Sequence, residues 1–415
     1  MMNTDLVIIG GGSAGLSAAI EARKQGIDDI LVLERSPYLG GILRQCIHNG
    51  FGVHKYKEDL TGVEFAKRIT DEAKEQNIRC MTETFALDIS REKVITAINP
   101  SKGLFTIQAK AIILAMGCRE RSRGALLIPG VRCAGIMTAG TAQRYLNLEG
   151  YLPGKRIVIL GSGDIGLIMA RQFTVEGAKV ERVVEIMPYS SGLARNISQC
   201  IEDFDIPISY NSTVTEIKGR GRIQSVIVSE VDRNRKPVPG TEFEIPCDLL
   251  MISAGLIPEN ELSRSAGIEL SGATKGAVVD DSLMTSLDGV FSCGNVLHVH
   301  DLVDFVSIEG ADAGANAAAY LKGKLQNGSR IPVESGFGTN GVVPQKICKE
   351  GKDTVSFLFR PRDRYPKCKV CIDVDGKCVK KLSRQILTPG EMCSFSVKRS
   401  LLNGAVDKIT VRVEV

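Results

Sequence analysis

Two glycine-rich turns carry the residue types and spacings that can hold a dinucleotide. The first, Gly10-x-Gly12-x-x-Gly15, follows the apolar run Leu6 to Ile9 and precedes an alanine-rich segment. Its first glycine permits a tight turn, its second lets the backbone approach a pyrophosphate, and its third lets the following helix pack on the strand. Glu34 ends the next apolar run, 24 residues after Gly10, where a carboxylate accepts hydrogen bonds from an adenosine ribose. This turn predicts one dinucleotide site.

The second turn shows that the first is one half of an internal repeat. Residues 5–36 recur at 156–187, an offset of 151, so Gly161-x-Gly163-x-x-Gly166 is again followed by an acid, Glu185, 24 residues after its first glycine. The strand-like segments 111–117 and 249–255 also resemble each other, and each ends in glycine. Two such units predict two dinucleotide sites.

These motifs resemble one superfamily. The tandem units, the strand end Ala115-x-Gly117 and the segment 289–295 are similar to the pyridine nucleotide-disulfide oxidoreductases, two-dinucleotide-fold flavoproteins that include thioredoxin reductase and the NADH oxidases. The resemblance runs from residue 5 to about residue 325, and it implies that the first fold binds FAD and the second binds NAD(P)H. Segments 40–50 and 256–260 resemble the branch of NADH oxidase-like reductases associated with FAD-linked glycerol-3-phosphate dehydrogenase, which is similar to subunits of sarcosine oxidase and hydrogen cyanide synthase.

The resemblance also implies site residues by position. The implied FAD contacts come from the first turn, the acid after it, the flavin loop 37–52 and several strand ends: Gly10, Gly12, Ser13, Ala14, Gly15, Glu34, Arg35, Gly41, Leu43, Gln45, Ala86, Ala115, Gly117, Gly294 and Asn295. The implied NAD contacts come from the second turn and the segments after it: Gly161, Gly163, Asp164, Ile165, Gly166, Glu185 and Gly255. Asn295 stands where the superfamily usually has an aspartate, so hydrogen bonding is kept and a charge is lost. The small-residue helix expected at 307–321 is implied to direct its N-terminus at the flavin pyrimidine.

Glu185 favours NADH over NADPH. A carboxylate at this strand end binds a ribose 2′-hydroxyl and repels a 2′-phosphate, and the neutral residues 186–189 follow it. The alternative is a solvated glutamate, with NADPH held by a distant arginine.

The fold class that follows is α/β, with two tandem Rossmann-like dinucleotide-binding domains, the second inserted in the first, and a small C-terminal domain that is mostly β. We place the FAD domain at 1–118 and 255–327, the NAD domain at 119–254 and the C-terminal domain at 335–415, with a linker at 327–329. The C-terminal domain has 16 Lys and Arg against 8 Asp and Glu, a net charge of +8. It is either a docking surface for an acidic partner or a small β domain with a charged surface.

Composition and charge argue against a nucleic-acid-binding protein and against an integral membrane protein. The 415 residues are 43% hydrophobic and carry a net charge of +4, which is too small to indicate nucleic-acid binding. No apolar run approaches the ~20 residues of a membrane helix, so we do not expect an integral membrane protein. The twelve cysteines have no framework spacing, and the chain enters its first expected strand directly after Asp5. We therefore expect a cytoplasmic protein without a signal peptide.

The cysteine positions argue against a disulfide reductase, which needs a reducible pair beside the flavin. The flavin loop contains Cys46 alone, and the segment before the second turn contains Cys133 alone. Cys46 could instead be a peroxidase-type or sulfenic centre. Cys368-x-x-Cys371 lies in an expected strand, where residues three apart face opposite sides, so we predict no metal site, although nearby cysteines keep a zinc or iron–sulfur site open.

The four histidines form two groups, His48 with His54 and His298 with His300, and both follow segments expected to flank the flavin. One histidine could donate a proton near flavin N5, and we name His48, with Cys46, as a candidate catalytic residue. The alternative is incidental placement in polar loops.

The predicted function is an FAD-dependent oxidoreductase that exchanges electrons between NAD(H) and a partner dehydrogenase. The resemblance implies that this partner acts on glycerol 3-phosphate or a similar small substrate. Two alternatives stay open. One is a stand-alone NADH oxidase or diaphorase that reduces oxygen or quinone. The other is a redox-sensing or assembly subunit whose nucleotide sites are structural.

Overall fold

A computed structural model describes residues 2–325 and 328–415. The expected linker at 327–329 begins at Asn327, which lies outside the described residues. The chain divides into two compact units: one joins the chain up to Cys118 to Pro258–Val415, and the other is Arg119–Ile257. The sequence predicts the second boundary between the two units after residue 254, whereas the structure has it after Ile257.

The first unit begins with a strand, a glycine turn and a helix. Its N-terminal elements are, in chain order, β1 Met2–Ile9, α1 Ser13–Lys24, β2 Ile30–Leu33, β3 Asn49–Phe51, β4 Leu60–Thr61, α2 Gly62–Glu75, β5 Arg79–Met81, β6 Phe85–Ile89, β7 Val94–Asn99 and β8 Gly103–Leu114. Strands β5, β2, β1 and β8 run parallel, and β7 and β6 continue the sheet as an antiparallel meander. Leu6, Val7 and Ile8 are fully buried, as expected of a central strand covered on both faces.

The chain from Cys118 to Pro258 contains the second glycine turn. Its elements are β9 Cys118–Glu120, α3 Arg123–Leu126, β10 Ile136–Thr138, α4 Ala139–Asn147, β11 Arg156–Leu160, α5 Asp164–Val175, β12 Lys179–Val184, α6 Ala194–Cys200, β13 Ile208–Ser209, β14 Ser212–Arg220, β15 Arg222–Glu230, β16 Phe243–Pro246, β17 Leu249–Ile252 and β18 Leu256–Pro258. A parallel sheet has the order β10-β17-β11-β12-β13, and β14, β15 and β16 form an antiparallel meander.

The first unit is completed by the chain after residue 258. Its next elements are α7 Glu261–Ser265, β19 Val290–Ser292 and α8 Val303–Leu321. Strand β19 pairs in parallel with β8, next to the strand that carries the first turn. Helix α8 packs against α1 so closely that a Cβ at Gly310 or Gly314 would collide with a carbonyl oxygen of α1. The second half of the unit thus braces the helix that follows the first turn.

The C-terminal region is a two-layer β structure with its own core. Its strands are β20 Arg330–Ser335, β21 Thr339–Val343, β22 Lys346–Cys348, β23 Thr354–Pro361, β24 Tyr365–Val374, β25 Lys377–Leu387, β26 Cys393–Lys398 and β27 Ile409–Glu414. One sheet has the order β22-β20-β27-β24-β25 and the other has the order β21-β23-β26. Phe357 and Phe359 of the second sheet pack with Val370 and Ile372 of the first. Across the described residues, no helix has the length and apolar character needed to cross a bilayer.

Candidate functional site

The first glycine turn leaves β1 and enters α1. Gly10 has φ +113°, and a Cβ there would collide with the carbonyl oxygen of Ala115, while one at Gly15 would collide with that of Gly10. A Cβ at Gly12, by contrast, would meet only the Cα of Gly41, at 3.9 Å. The open face of the middle glycine therefore lies beside the backbone N–H groups that begin α1, an arrangement that suits a pyrophosphate.

The second turn repeats this geometry between β11 and α5. Gly161 has φ +104°, and a Cβ there would collide with the carbonyl oxygen of Ser253, whereas a Cβ at Gly163 would meet only Ser191 Oγ, at 3.7 Å. Both turns thus fit a dinucleotide by the same test, because the first glycine admits no side chain and the second leaves room above the turn.

Each acid accepts one backbone N–H from its own turn and one from the second residue after the acid, and Glu185 also accepts the hydroxyl of Ser162. Glu34 accepts the N–H of Gly11 at 2.8 Å and that of Ser36 at 2.7 Å. Glu185 accepts the N–H of Ser162 at 2.9 Å and that of Met187 at 2.8 Å. Both carboxylates are buried, and each has lone pairs left for a ribose hydroxyl.

The flavin loop lies directly on the first turn. Residues Gly41–Gln45 form a short 3-10 helix, and Gly40 donates its N–H to the carbonyl of Gly11 at 2.8 Å. A Cβ at Gly41 would lie 3.1 Å from the Cα of Gly12, so the structure brings these two implied FAD residues together. Leu43 and Gln45, both within this 3-10 helix, are buried. Arg35, next to Glu34, is exposed.

The remaining implied FAD residues lie at strand ends around the sheet. Ala115 follows β8 and underlies Gly10, and Gly117 has φ +74° with open space where a Cβ would point. Gly294 donates its N–H to Glu309 at 2.5 Å. Asn295 accepts the N–H of His300 at 3.0 Å through Oδ1 and donates from Nδ2 to Cys118 Sγ at 3.7 Å. Ala86 is buried in β6, where it pairs with Ala97.

Asp164, directly after the middle glycine of the second turn, holds a neighbouring segment in place. Its Oδ1 accepts the N–H of Leu193 at 2.8 Å and the amide of Asn196 at 2.7 Å, so this carboxylate orders the segment that opens α6. Ile165 is 37% exposed on the first turn of α5. Gly255 has φ +95° and open space on its Cβ side, with Arg121 Nε at 3.8 Å.

Comparison with known proteins assigns the family. The family model described as pyridine nucleotide-disulphide oxidoreductase matches residues 4–355. The chain belongs to this family. It is an FAD-dependent NAD(P)H oxidoreductase with the α/β, two-dinucleotide-fold architecture, so the predicted superfamily, fold class and cofactors are confirmed.

Individual relatives are distant. An opine oxidase subunit of Agrobacterium tumefaciens is 24% identical over 70% of this chain, which spans 61% of that relative. Hydrogen cyanide synthase subunit HcnB of Pseudomonas aeruginosa is 26% identical over 80% of this chain and 74% of its own length. The crystal structure of T. acidophilum thioredoxin reductase, 25% identical, superposes with a TM-score of 0.63 over 78% of this chain and 99% of its own.

The first candidate catalytic residue, Cys46, has a partly buried thiol. Burial raises the pKa of Cys46 to about 12, and its Sγ donates to the carbonyl oxygen of Ile42 at 3.5 Å. His48, the other candidate, lies with its ring centroid 5.0 Å from that of Phe51. Both residues belong to the flavin loop, and the ring contact with Phe51 does not single out His48 as a proton donor.

Sequence reasoning missed two acids on α8. Asp304, in the first turn, accepts the N–H groups of Gly52, His54 and Lys55 at 3.0, 2.9 and 2.8 Å and so fastens the end of the flavin loop to α8. Glu309 contacts His298 and His300. Burial raises the pKa of Glu309, but the two imidazoles outweigh it and hold that pKa below its ordinary value. Acidic residues within a helix of small side chains were the available signal.

The tail cysteines behave as the strand pattern predicted. Cys368 faces the core of the C-terminal region with Val370 and Ile372, whereas Cys371 lies on the opposite face, with its Sγ 3.6 Å from Glu414. The Cys-x-x-Cys pair therefore does not converge on one point.

Proposed function

We propose that this reductase binds FAD at the first turn and NADH at the second, and exchanges electrons between NADH and a partner dehydrogenase without a protein disulfide. When bound, the flavin supplies the hydride chemistry, and the protein supplies binding and orientation. The proposed contacts are the residues named above for each turn. Gly10 to Gly15, Glu34 and the flavin loop would hold FAD, and Gly161 to Gly166 with Glu185 would hold NADH.

The state of Cys46 carries this proposal. It is the single cysteine of the flavin loop, and thiol–disulfide chemistry requires a thiolate. Burial raises its pKa to about 12, which disfavours the thiolate at neutral pH. A thiol relay beside the flavin is therefore disfavoured, and electrons would leave the flavin for an external acceptor or arrive from an external donor.

NADH is favoured as the nucleotide by Glu185 and its surroundings. The buried carboxylate is fixed by Ser162 and Met187 at the strand end, where the ribose of a bound nucleotide would lie. The next four residues, 186–189, carry no charge that could receive a 2′-phosphate.

A partner dehydrogenase is supported by two features. The opine oxidase relative and HcnB are, by their names, subunits of larger enzymes. The basic C-terminal region also presents exposed lysines, Lys377 and Lys380, on the edge strand β25. We propose that the partner docks there in the cytoplasm and oxidises glycerol 3-phosphate or a similar small substrate.

Anaerobic stopped-flow mixing with NADH tests the proposal. We expect the flavin to bleach, to stay reduced when a small disulfide is added, and to reoxidise slowly in air. The partner complex, isolated at low salt, should reduce NAD⁺ when glycerol 3-phosphate is supplied, and the reductase alone should not.

Other outcomes would overturn parts of the proposal. Rapid reoxidation by air at the steady-state turnover rate would identify a stand-alone oxidase. A flavin that NADH does not bleach would indicate a sensing or assembly subunit. Lys377→Glu with Lys380→Glu should weaken the complex, whereas the matched control Lys236→Glu, on an exposed lysine of the other unit, should not.

A further inference from the structure

Three side chains that the electron-transfer proposal does not use converge next to Gly294. His298 Nε2 lies 2.7 Å from Glu309 Oε1, and His300 Nε2 lies 3.1 Å from Glu309 Oε2. One potential ligand atom from each residue lies within 4.8 Å of the other two. The side chains are 4%, 3% and 10% exposed for His298, His300 and Glu309. They form a closed cluster between the loop after β19 and the second turn of α8.

The only side-chain cations that the described residues offer to the buried carboxylate of Glu309 are the two imidazoles, and only when these are protonated. Within residues 2–325 and 328–415, no lysine or arginine forms an ion pair with Glu309, whose contacts are the two imidazoles and the N–H of Gly294. Buried carboxylates are normally paired with a cation or bound to a metal. Nδ1 of His298 is also buried without a hydrogen-bond partner among the described residues, but it points away from Glu309, which Nε2 faces, and so it is not part of the cluster.

A second group of potential metal ligands differs from the one at Glu309 in its charge partners. Asp280, Asp281 and Cys348 also bring three potential ligand atoms together. There, however, Arg330 forms an ion pair with Asp280 and Arg399 forms one with Asp281. Guanidinium groups already occupy that cluster, whereas within the described residues Glu309 pairs only with the imidazoles of His298 and His300.

We propose that His298, His300 and Glu309 bind one divalent transition-metal cation, with Zn²⁺ as the best match. Imidazole nitrogen and carboxylate oxygen are the ligands that Zn²⁺ takes in proteins, at about 2.0–2.2 Å. Three protein ligands would leave one coordination position of a tetrahedral ion for water. Because a metal binds neutral imidazole, the cation itself would then balance the charge of the Glu309 carboxylate.

The loop that carries both histidines is held in place from two sides. His300 donates its N–H to Asn295 Oδ1 at 3.0 Å. Arg360 of β23 donates to the carbonyl oxygen of Val299 at 3.2 Å and forms an ion pair with Asp301. The two imidazoles are thus preorganised, which lowers the entropy cost of gathering them around an ion. Because Glu309 also accepts the N–H of Gly294, the cation would fasten the Gly294 turn to α8.

Metal analysis of the purified holoprotein tests the site. After incubation with Zn²⁺ and exhaustive dialysis, we expect about one equivalent of Zn in the wild type and in His54→Gln, a histidine outside the cluster. We expect less than about 0.1 equivalent in His300→Gln and in Glu309→Gln, because three-ligand affinity falls steeply when one ligand is lost. One equivalent of Fe, Mn or Co in place of Zn would keep the site and change its metal.

The unfolding temperature is a second measurement, which shows whether a variant that retains no metal is folded. Added Zn²⁺ should raise the unfolding temperature of the wild type and of His54→Gln, because a ligand that binds only the folded state stabilises it. The unfolding temperature of His300→Gln should not respond. The proposal is overturned if folded wild type retains no metal, which would leave a triad of two imidazole N–H donors on Glu309. It is equally overturned if His300→Gln retains as much metal as the wild type.

Discussion

The two glycine turns have nearly the same local geometry and very different surroundings. At the first, the flavin loop lies against Gly12, and α8 packs on the helix that follows. At the second, Gly163 faces Ser191 alone, and Asp164 orders a short segment beside it. The repeated motif leaves open space at its middle glycine in both places. The segments that surround the motif differ between the two places. We infer that the more enclosed first turn holds a resident cofactor and that the second turn binds a nucleotide that associates and dissociates.

The largest expected effect separates the two turns by cofactor. Gly12→Ala and Gly163→Ala should both fold, because φ is −84° and −69° and neither Cβ collides with the protein. Gly12→Ala should be purified with little flavin, read from absorbance near 450 nm. Gly163→Ala should keep its flavin, while its KM for NADH should rise about tenfold or more, a loss of roughly 1.4 kcal/mol. Flavin loss in Gly163→Ala would contradict the assignment of the turns.

The next effect concerns the two acids. Glu185→Ala should lower the ratio of kcat/KM for NADH to that for NADPH by about 10- to 100-fold, because a charged hydrogen-bond acceptor is lost and repulsion of a 2′-phosphate disappears. Glu34→Ala, the equivalent change at the first turn, should weaken flavin retention and leave the nucleotide preference unchanged. Steady-state kinetics with both nucleotides measure this. An unchanged ratio in Glu185→Ala would remove the argument for NADH.

A smaller effect tests the enclosure of the first turn by α8. Gly314→Ala places a Cβ against the carbonyl oxygen of Ala18, and such overpacking costs about 1–3 kcal/mol. Thermal unfolding should show a lower midpoint and flavin should be released faster. Gly272→Ala is the matched control, because a Cβ there meets no atom within 4 Å. Equal unfolding midpoints for the two variants would show that the contact between α1 and α8 accommodates an added methyl group without loss of stability.

The smallest expected effect is that of Cys46→Ser, which should change NADH-dependent flavin reduction by less than about twofold, since no thiolate step is proposed. In the wild type the raised pKa should make Cys46 alkylate at least about tenfold more slowly at pH 8 than an ordinary cysteine of pKa 9.0, because the smaller thiolate fraction outweighs the higher nucleophilicity of that thiolate. Its rate should rise about tenfold per pH unit until the pH approaches 12. Peptide-level mass spectrometry after timed iodoacetamide labelling measures both rates. Fast labelling at pH 7 would reopen the peroxidase-type interpretation.

The features predicted from the sequence share a physical origin. The glycine spacings, the buried strands before them and the acids 24 residues later are local patterns, and a turn between a strand and a helix has few solutions. The opposite orientations of Cys368 and Cys371 follow from the alternation of a strand. The bonds of Asp304 to the flavin loop join residues about 250 positions apart, and no spacing rule reaches that far.

The sequence by itself determined that two dinucleotide units exist, where their turns lie and which acid ends each second strand, because backbone sterics and hydrogen bonding act over a few residues. Tertiary structure decided what surrounds each turn. It placed Gly41 on Gly12, packed Gly310 and Gly314 of α8 on α1, and gathered His298, His300 and Glu309 into one buried cluster. Those contacts depend on how separate segments pack around a shared core, and burial, which strengthens the electrostatics of the cluster and raises the pKa of Cys46, exists only after that packing.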